Sequence, residues 1–78
     1  MPVKSYLAYP LKGAKKALHD AIAKIDYCEV VAAENKDLLI VITDTKTQLE
    51  DENTKQQIET ISNLKLLTLV SGFNTPKN

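Results

Sequence analysis

Hydrophobic and polar positions recur along the chain with two periods, one typical of strands and one typical of helices. Residues 3–9 (VKSYLAY) alternate, which predicts a strand with Leu7 on one face and Lys4 and Tyr6 on the other. After Pro10 the apolar residues recur every three or four positions, a spacing that predicts an amphipathic first helix. These apolar residues are Leu11, Ala14, Leu18, Ile22 and Ile25.

The following segment has the features of a hairpin. Residues 28–33 (CEVVAA) predict a second strand, and the polar residues 34–37 (ENKD) form a link of hairpin length. A third strand lies in residues 36–44 (KDLLIVITD), where the apolar residues are nearly continuous. Successive side chains of a strand point to opposite faces, so both faces of this strand are apolar.

A second helix and a fourth strand complete the pattern. Thr47 and Glu50 have the spacing of a capping box, so we expect the helix to begin between residues 48 and 53. Residues 66–73 (LLTLVSGF) predict the last strand, and the tail from about residue 74 should be frayed.

The order of these elements is β-α-β followed by β-α-β. Right-handed crossovers and an antiparallel hairpin together favour the ferredoxin-like split β-α-β fold of the α+β class. We therefore expect one domain over residues 1–78, with a four-stranded antiparallel sheet and two helices on one face. The first and third strands should be central. The helix residues that should pack on the inner face of the sheet are Leu18, Ile22, Ile25, Ile58 and Ile61.

This fold leaves one sheet face without a helix, and the two-sided apolar third strand raises the question of what covers that face. Apolar strand residues are common even where they are solvated, and this simple explanation stays open. If Lys4 and Glu29 mark the outward side, a continuous apolar surface crosses the open face. The candidate binding residues are then Tyr6, Ala8, Glu29, Val31, Leu39, Val41, Thr68 and Val70.

Composition narrows the function classes. Ten basic and ten acidic residues give a formal net charge of zero, so there is no basic footprint for nucleic acid. A single cysteine excludes an internal disulfide and any multi-cysteine metal site. The sequence has no run of about 18 apolar residues and no long apolar stretch after its first lysine, so we expect neither a membrane span nor a cleaved signal. We therefore expect a cytoplasmic protein.

The residues that could carry chemistry are few, and each has a simpler structural explanation. His19 has no second ligand at metal-binding spacing, and Cys28 has no partnering base. Gly13 and Gly72 form no phosphate-binding loop. The acidic residues 50–52 suit a helix start, where the macrodipole favours negative charge. We expect no catalytic residue, no metal and no cofactor, and hence no enzymatic activity.

Three segments resemble the NapD family of maturation chaperones for periplasmic nitrate reductase. They are SYLAYPLKGAKKALHDAIAKIDYCEVV (residues 5–31), LLIVIT (residues 38–43) and IETISNLKLLTLVSGF (residues 58–73). The chain differs at residues 26–27 and 65–66, where family members usually have a Pro-Gly or a similarly tight turn. The resemblance implies a ferredoxin-like fold and a cytoplasmic, non-enzymatic chaperone.

The resemblance also implies a partner. Members of that family bind the twin-arginine signal peptide of the molybdenum-containing catalytic subunit, as a helix against the sheet, and delay export until the cofactor is inserted. The protein would then be a monomer or a weak dimer. Two alternatives remain, a small-molecule regulatory module of the ACT type and a structural module whose open face is a permanent dimer interface. Metal carriage is disfavoured because a Cys-x-x-Cys pair is lacking.

Overall fold

Six elements follow one another in the order β-α-β-β-α-β in a computed structural model that describes residues 3–73, with side chains described for residues 3–70. The frayed tail predicted from residue 74 lies outside the described residues. The elements are β1 (Val3–Pro10), α1 (Lys15–Ala23), β2 (Cys28–Ala32), β3 (Leu39–Asp44), α2 (Gln48–Glu59) and β4 (Leu64–Phe73).

The four strands form one antiparallel sheet in the order β2-β3-β1-β4. β1 and β3 are central, and β2 and β4 are the edge strands. The predicted ferredoxin-like α+β fold is confirmed. Both helices contribute to a core on the same side of the sheet, which leaves the other side without a helix.

The core forms where the apolar stripes of the helices meet the two central strands. Leu18 and Ile22 of α1 and Ile58 of α2 are fully buried, as the helical spacing predicts. Ile25 and Ile61 are partly buried against the same cluster. The sheet residues of this core are Tyr6, Ala8, Leu39 and Val41.

Local hydrogen bonds determine where the helices begin. The Ala14 N–H donates to the Leu11 carbonyl at 2.9 Å in a turn that holds Gly13 at a φ of 78°, so α1 starts at Lys15 and not directly after Pro10. At α2 the Glu50 N–H donates to Thr47 Oγ1 at 3.1 Å, which confirms the predicted cap.

The predicted facing of the two central strands is wrong. Lys4 lies on the helix side of β1, and its amino group donates to Asp51 Oδ2 of α2 at 2.5 Å. Lysine can bury its stem while its amino group reaches a charged partner, so it is a poor marker of the outer face. With Lys4 inward, the alternation of β1 and β3 is shifted by one residue from the prediction. The four residues wrongly placed on the open face are the buried sheet residues Tyr6, Ala8, Leu39 and Val41.

Candidate functional site

The helix-free side of the sheet is apolar across its middle. Directly paired residues of antiparallel strands share a face, so Val31, Ile40, Leu7 and Thr68 form one row that crosses all four strands. We call this the apolar row. Val31 is 57% exposed and Ile40 is 37% exposed, while Leu7 is half-buried. Three of the four side chains are therefore aliphatic, and they are contiguous across β2, β3 and β1.

Neighbouring residues extend the apolar row along the strands. Ile42 follows Ile40 on the same face of β3 and is half-buried. On the other side of the row, Tyr9 of β1 pairs with Leu66 of β4, which is 53% exposed. Contiguous exposed apolar surface is the feature that distinguishes an interaction site from scattered surface residues.

One end of the open face is acidic. Glu29 pairs with Ile42, and Asp44 pairs with Val3, so both carboxylates lie on the open side beyond the apolar row. We call Glu29 and Asp44 the acidic end. A shallow depression lies at this end of the sheet. The depression is lined by Val3, Tyr27, Cys28, Glu29, Ile42 and Asp44.

Tyr27, at the acidic end, has an unusual backbone conformation. Its φ is 70°, a left-handed conformation that residues other than glycine, asparagine and aspartate seldom adopt. The strained residue is held from two sides. The Asp44 N–H donates to the Tyr27 carbonyl at 2.9 Å, and the Tyr27 hydroxyl donates to Glu50 Oε2 at 3.3 Å. The nearby Glu50 carboxylate raises the pKa of the Tyr27 hydroxyl, which keeps the hydroxyl protonated as a donor.

The predicted site residues separate into three on the open face, one at an irregularity of β4 and four in the core. Glu29, Val31 and Thr68 lie on the open face as predicted. Val70 is 57% exposed, at an irregularity where the pairing of β1 with β4 shifts by one residue. The remaining four belong to the core. The residues that the structure brings to the face and that the sequence interpretation did not include are Leu7, Tyr9, Ile40, Ile42, Asp44 and Leu66, among others.

A signal for the correct facing exists on α2. Asp51, Thr54 and Ile58 are spaced by three and four residues, so they share one helix face, and Ile58 is an obvious core residue. Asp51 must therefore point toward the sheet, where a buried carboxylate needs a cationic partner. Lys4 is that partner, and its pKa is raised chiefly by the hydrogen bond to Asp51.

The thiol of Cys28 is not activated. Desolvation is the main cause that raises its pKa to about 11, and the negative charge of Asp26 adds to the effect. The thiol is thus protonated at neutral pH, whereas a nucleophilic cysteine needs the thiolate. Cys28 lies on the helix side of β2 and packs against the core.

A second concavity lies between α1 and the sheet, and it carries basic groups. It is lined by Lys15, Lys16, His19, Ala32 and Leu39. The Lys15 amino group already donates to the carbonyls of Ala33 and Lys36, at 2.6 and 2.8 Å. The cation of Lys15 therefore holds the β2–β3 link in place.

The other two basic groups of this concavity are also engaged. His19 Nδ1 lies 3.2 Å from a carboxylate oxygen of Asp20, and the Lys16 amino group lies 3.7 Å from the other oxygen. Hydrogen bonding with His19, and then the charge of Lys16, lowers the pKa of Asp20. The Asp20 carboxylate beside Lys16 and His19 offsets part of the positive charge that an anionic ligand would need.

Comparison with protein-family models, with curated proteins and with solved structures gives no match to this chain. Within residues 3–73 there is no cluster of three or more His, Cys, Asp or Glu side chains that could hold a metal ion. Neither described helix is long and apolar enough to cross a membrane.

Proposed function

We propose that this protein is a non-enzymatic chaperone that binds a twin-arginine signal peptide as a helix on the open face of its sheet. The observation that carries the proposal is the apolar row beside the acidic end. The identity of the peptide rests on the resemblance to the NapD family. The client would be a molybdoenzyme such as the catalytic subunit of periplasmic nitrate reductase, and binding in the cytoplasm would delay its export until cofactor insertion.

The dimensions of the open face suit one helix. Four strands spaced about 4.8 Å apart give a face roughly 15 Å wide. A helix with its side chains is about 10–12 Å across, so one helix can lie over the two central strands. Leu7, Ile40 and Ile42 would then contact its apolar side, with Val31 at the rim. Laying an apolar helix into an apolar surface is a general mode of peptide recognition.

The charge distribution suits the order of features in such a peptide. A twin-arginine signal peptide has a cationic segment followed by an apolar segment. The cationic segment can lie at the acidic end, near Glu29 and Asp44, while the apolar segment covers the apolar row. Rim charges of this kind accelerate association and orient the partner more than they add affinity.

The test is a calorimetric or NMR titration of the candidate client's signal peptide. Ile40→Asp places a charge in the apolar row and should weaken binding at least tenfold, because a carboxylate would be buried under the peptide helix. Leu49→Asp is the matched control. Leu49 is an apolar residue of α2 that is 67% exposed, so the same substitution there should leave binding unchanged.

The electrostatic contribution is tested separately. Glu29→Gln should weaken binding less than Ile40→Asp does, and it should reduce the dependence of affinity on salt. Glu34→Gln, in the exposed link before β3, removes the same charge away from the face and serves as the control. Undiminished binding by a folded Ile40→Asp protein, or NMR shifts confined to the helix side, would refute the proposed site.

The regulatory-module alternative would use the concavity beside α1. Lys15 of this concavity donates to two carbonyls of the protein, and Asp20 lies beside Lys16 and His19. The concavity is therefore a weaker candidate for binding an anionic ligand than the open face is for binding a peptide. Ligand-dependent melting that Lys16→Ala removes, in a protein that does not bind signal peptides, would favour the regulatory module.

A further inference from the structure

The outer edge of β4 is a second unpartnered surface. Within residues 3–73, β4 pairs with β1 on one side and with no strand on the other. Its residues 66–70 (LLTLV) carry no charge. Leu69 pairs with Tyr6, whose side chain is buried beneath the helices, yet Leu69 itself is 54% exposed. The helices therefore leave Leu69 largely uncovered, although Leu67 of the same strand packs against the core.

The other edge of the sheet is better protected. β2 has five residues whereas β4 has ten, and β2 carries the charged residue Glu29. α1 also packs on β2. Natural proteins usually shorten, charge or cover an edge strand, because its free N–H and carbonyl groups pair readily with another strand. Between residues 66 and 69, β4 carries no charge, and its cover is limited to the packing of Leu67 against the core.

We propose that a second copy of this protein pairs with β4 in antiparallel fashion, extending the two sheets into one of eight strands. The two-fold axis lies at Thr68. Residues that face each other in such a pair share a sheet face, so Thr68 meets Thr68 of the second copy and Leu67 meets its Leu69. Every facing pair in this segment is thus apolar or hydroxyl-bearing. A self-complementary strand of this kind fits its own copy, as a two-fold interface requires.

The irregularities of β4 limit the size of this interface. β1 pairs continuously with β4 from Leu66 to Leu69, and the register shifts on either side, at Lys65 and at Val70. The regular pairing segment is therefore short. Interfaces that bury less than about 1,200 Å² in total are typically weak and transient. We expect a dimer that dissociates on dilution through the micromolar range.

A concentration series in sedimentation velocity tests the dimer. Leu69→Lys places a charge at the proposed interface and should weaken dimerisation at least tenfold. Val31→Lys makes the same kind of change at an apolar residue of similar exposure, 57% against 54%, but on the opposite edge strand and the open face. It should leave the dimer intact. Because Leu69 is outside the peptide site, signal-peptide binding should survive Leu69→Lys, so the two proposals can fail independently.

A cross-linking measurement tests the same interface without a variant that weakens the dimer. In a Cys28→Ala background, Thr68→Cys should form a disulfide-linked dimer under mild oxidation, whereas Val31→Cys should stay monomeric. Three outcomes would overturn the proposal. They are a wild-type protein that is monomeric up to millimolar concentration, a Leu69→Lys protein that dimerises normally, and a dimer that is lost on Val31→Lys but kept on Leu69→Lys.

Discussion

Two neighbouring residues of β3 provide a direct test of how the sheet is oriented. Val41 is fully buried beneath the helices, whereas Ile40 is 37% exposed on the open face. Aspartate at position 41 would remove about 1.5–3 kcal/mol of apolar burial and add the cost of enclosing a carboxylate, which is several kcal/mol. Aspartate at position 40 would keep its carboxylate in water and should cost about 1 kcal/mol.

These costs must be compared with the stability of the whole domain. At roughly 0.05–0.15 kcal/mol per residue, a chain of 78 residues has a free energy of unfolding of about 4–12 kcal/mol. Val41→Asp should therefore remove most or all of the stability. Ile40→Asp should remain folded, with its urea midpoint lowered by about 1 M if the denaturant dependence is about 1 kcal/mol per molar.

Urea titrations followed by circular dichroism at low protein concentration distinguish the two variants. The second central strand offers a repeat of the experiment, because Ala8 is buried and Leu7 faces the open side. Ala8→Asp should behave like Val41→Asp, and Leu7→Asp like Ile40→Asp. A cooperative, near-wild-type transition for Val41→Asp together with an unfolded Ile40→Asp protein would refute the assignment of faces.

Two further predictions concern the ionisable groups. The unfolded chain releases the Cys28 proton near pH 9.0 and the folded protein only near pH 11, so the contribution of the protonated thiol to stability is fully present below pH 9 and is lost as the pH rises to 11. Because the thiol is only partly buried, solvent screening reduces this loss to about 1–2 kcal/mol. Thermal melting of wild type and Cys28→Ala across this range measures the effect, and an equally steep decline in both proteins would contradict it. Lys4→Met should lower stability by about 2 kcal/mol because Asp51 is left buried without its cation, and Lys4→Met/Asp51→Leu should recover most of that loss. A double variant as unstable as the single one in urea unfolding would show that the ion pair is not the cause.

The sequence was sufficient to predict the fold because each element has its own local signal. Leu18 and Ile22 recur at helical spacing, Thr47 and Glu50 mark the start of α2, and a short polar link requires a hairpin. Few topologies satisfy all of these constraints. The first and last residues of each element were harder to predict. For example, the turn at Gly13 means that α1 begins only at Lys15.

The facing of the central strands could not be predicted from strand patterns. An alternating strand with one polar face has a defined orientation, but Ile40 and Val41 are equally apolar and the pattern is symmetric. Two charged residues, Lys4 and Glu29, then determined the interpretation. Glu29 marks the open face of β2 correctly, but Lys4 was misleading because its partner, Asp51, is 47 positions away in the sequence. The acidic end could not be predicted for a similar reason, because Asp44 and Glu29 are distant in the sequence and come together only through strand pairing.

The Lys4–Asp51 ion pair has a consequence for how the chain selects one fold. A misfolded form in which β1 and β3 exchange faces would still bury aliphatic side chains such as Leu7, Ile40 and Ile42, so apolar burial alone separates the two forms poorly. In that form Lys4 would face the open side, and Asp51 would remain buried between α2 and the sheet without a cationic partner. The pair thus imposes a penalty on the inverted sheet that hydrophobic contacts cannot supply. Among descendants of this sequence, the charges at positions 4 and 51 should be exchanged or lost together.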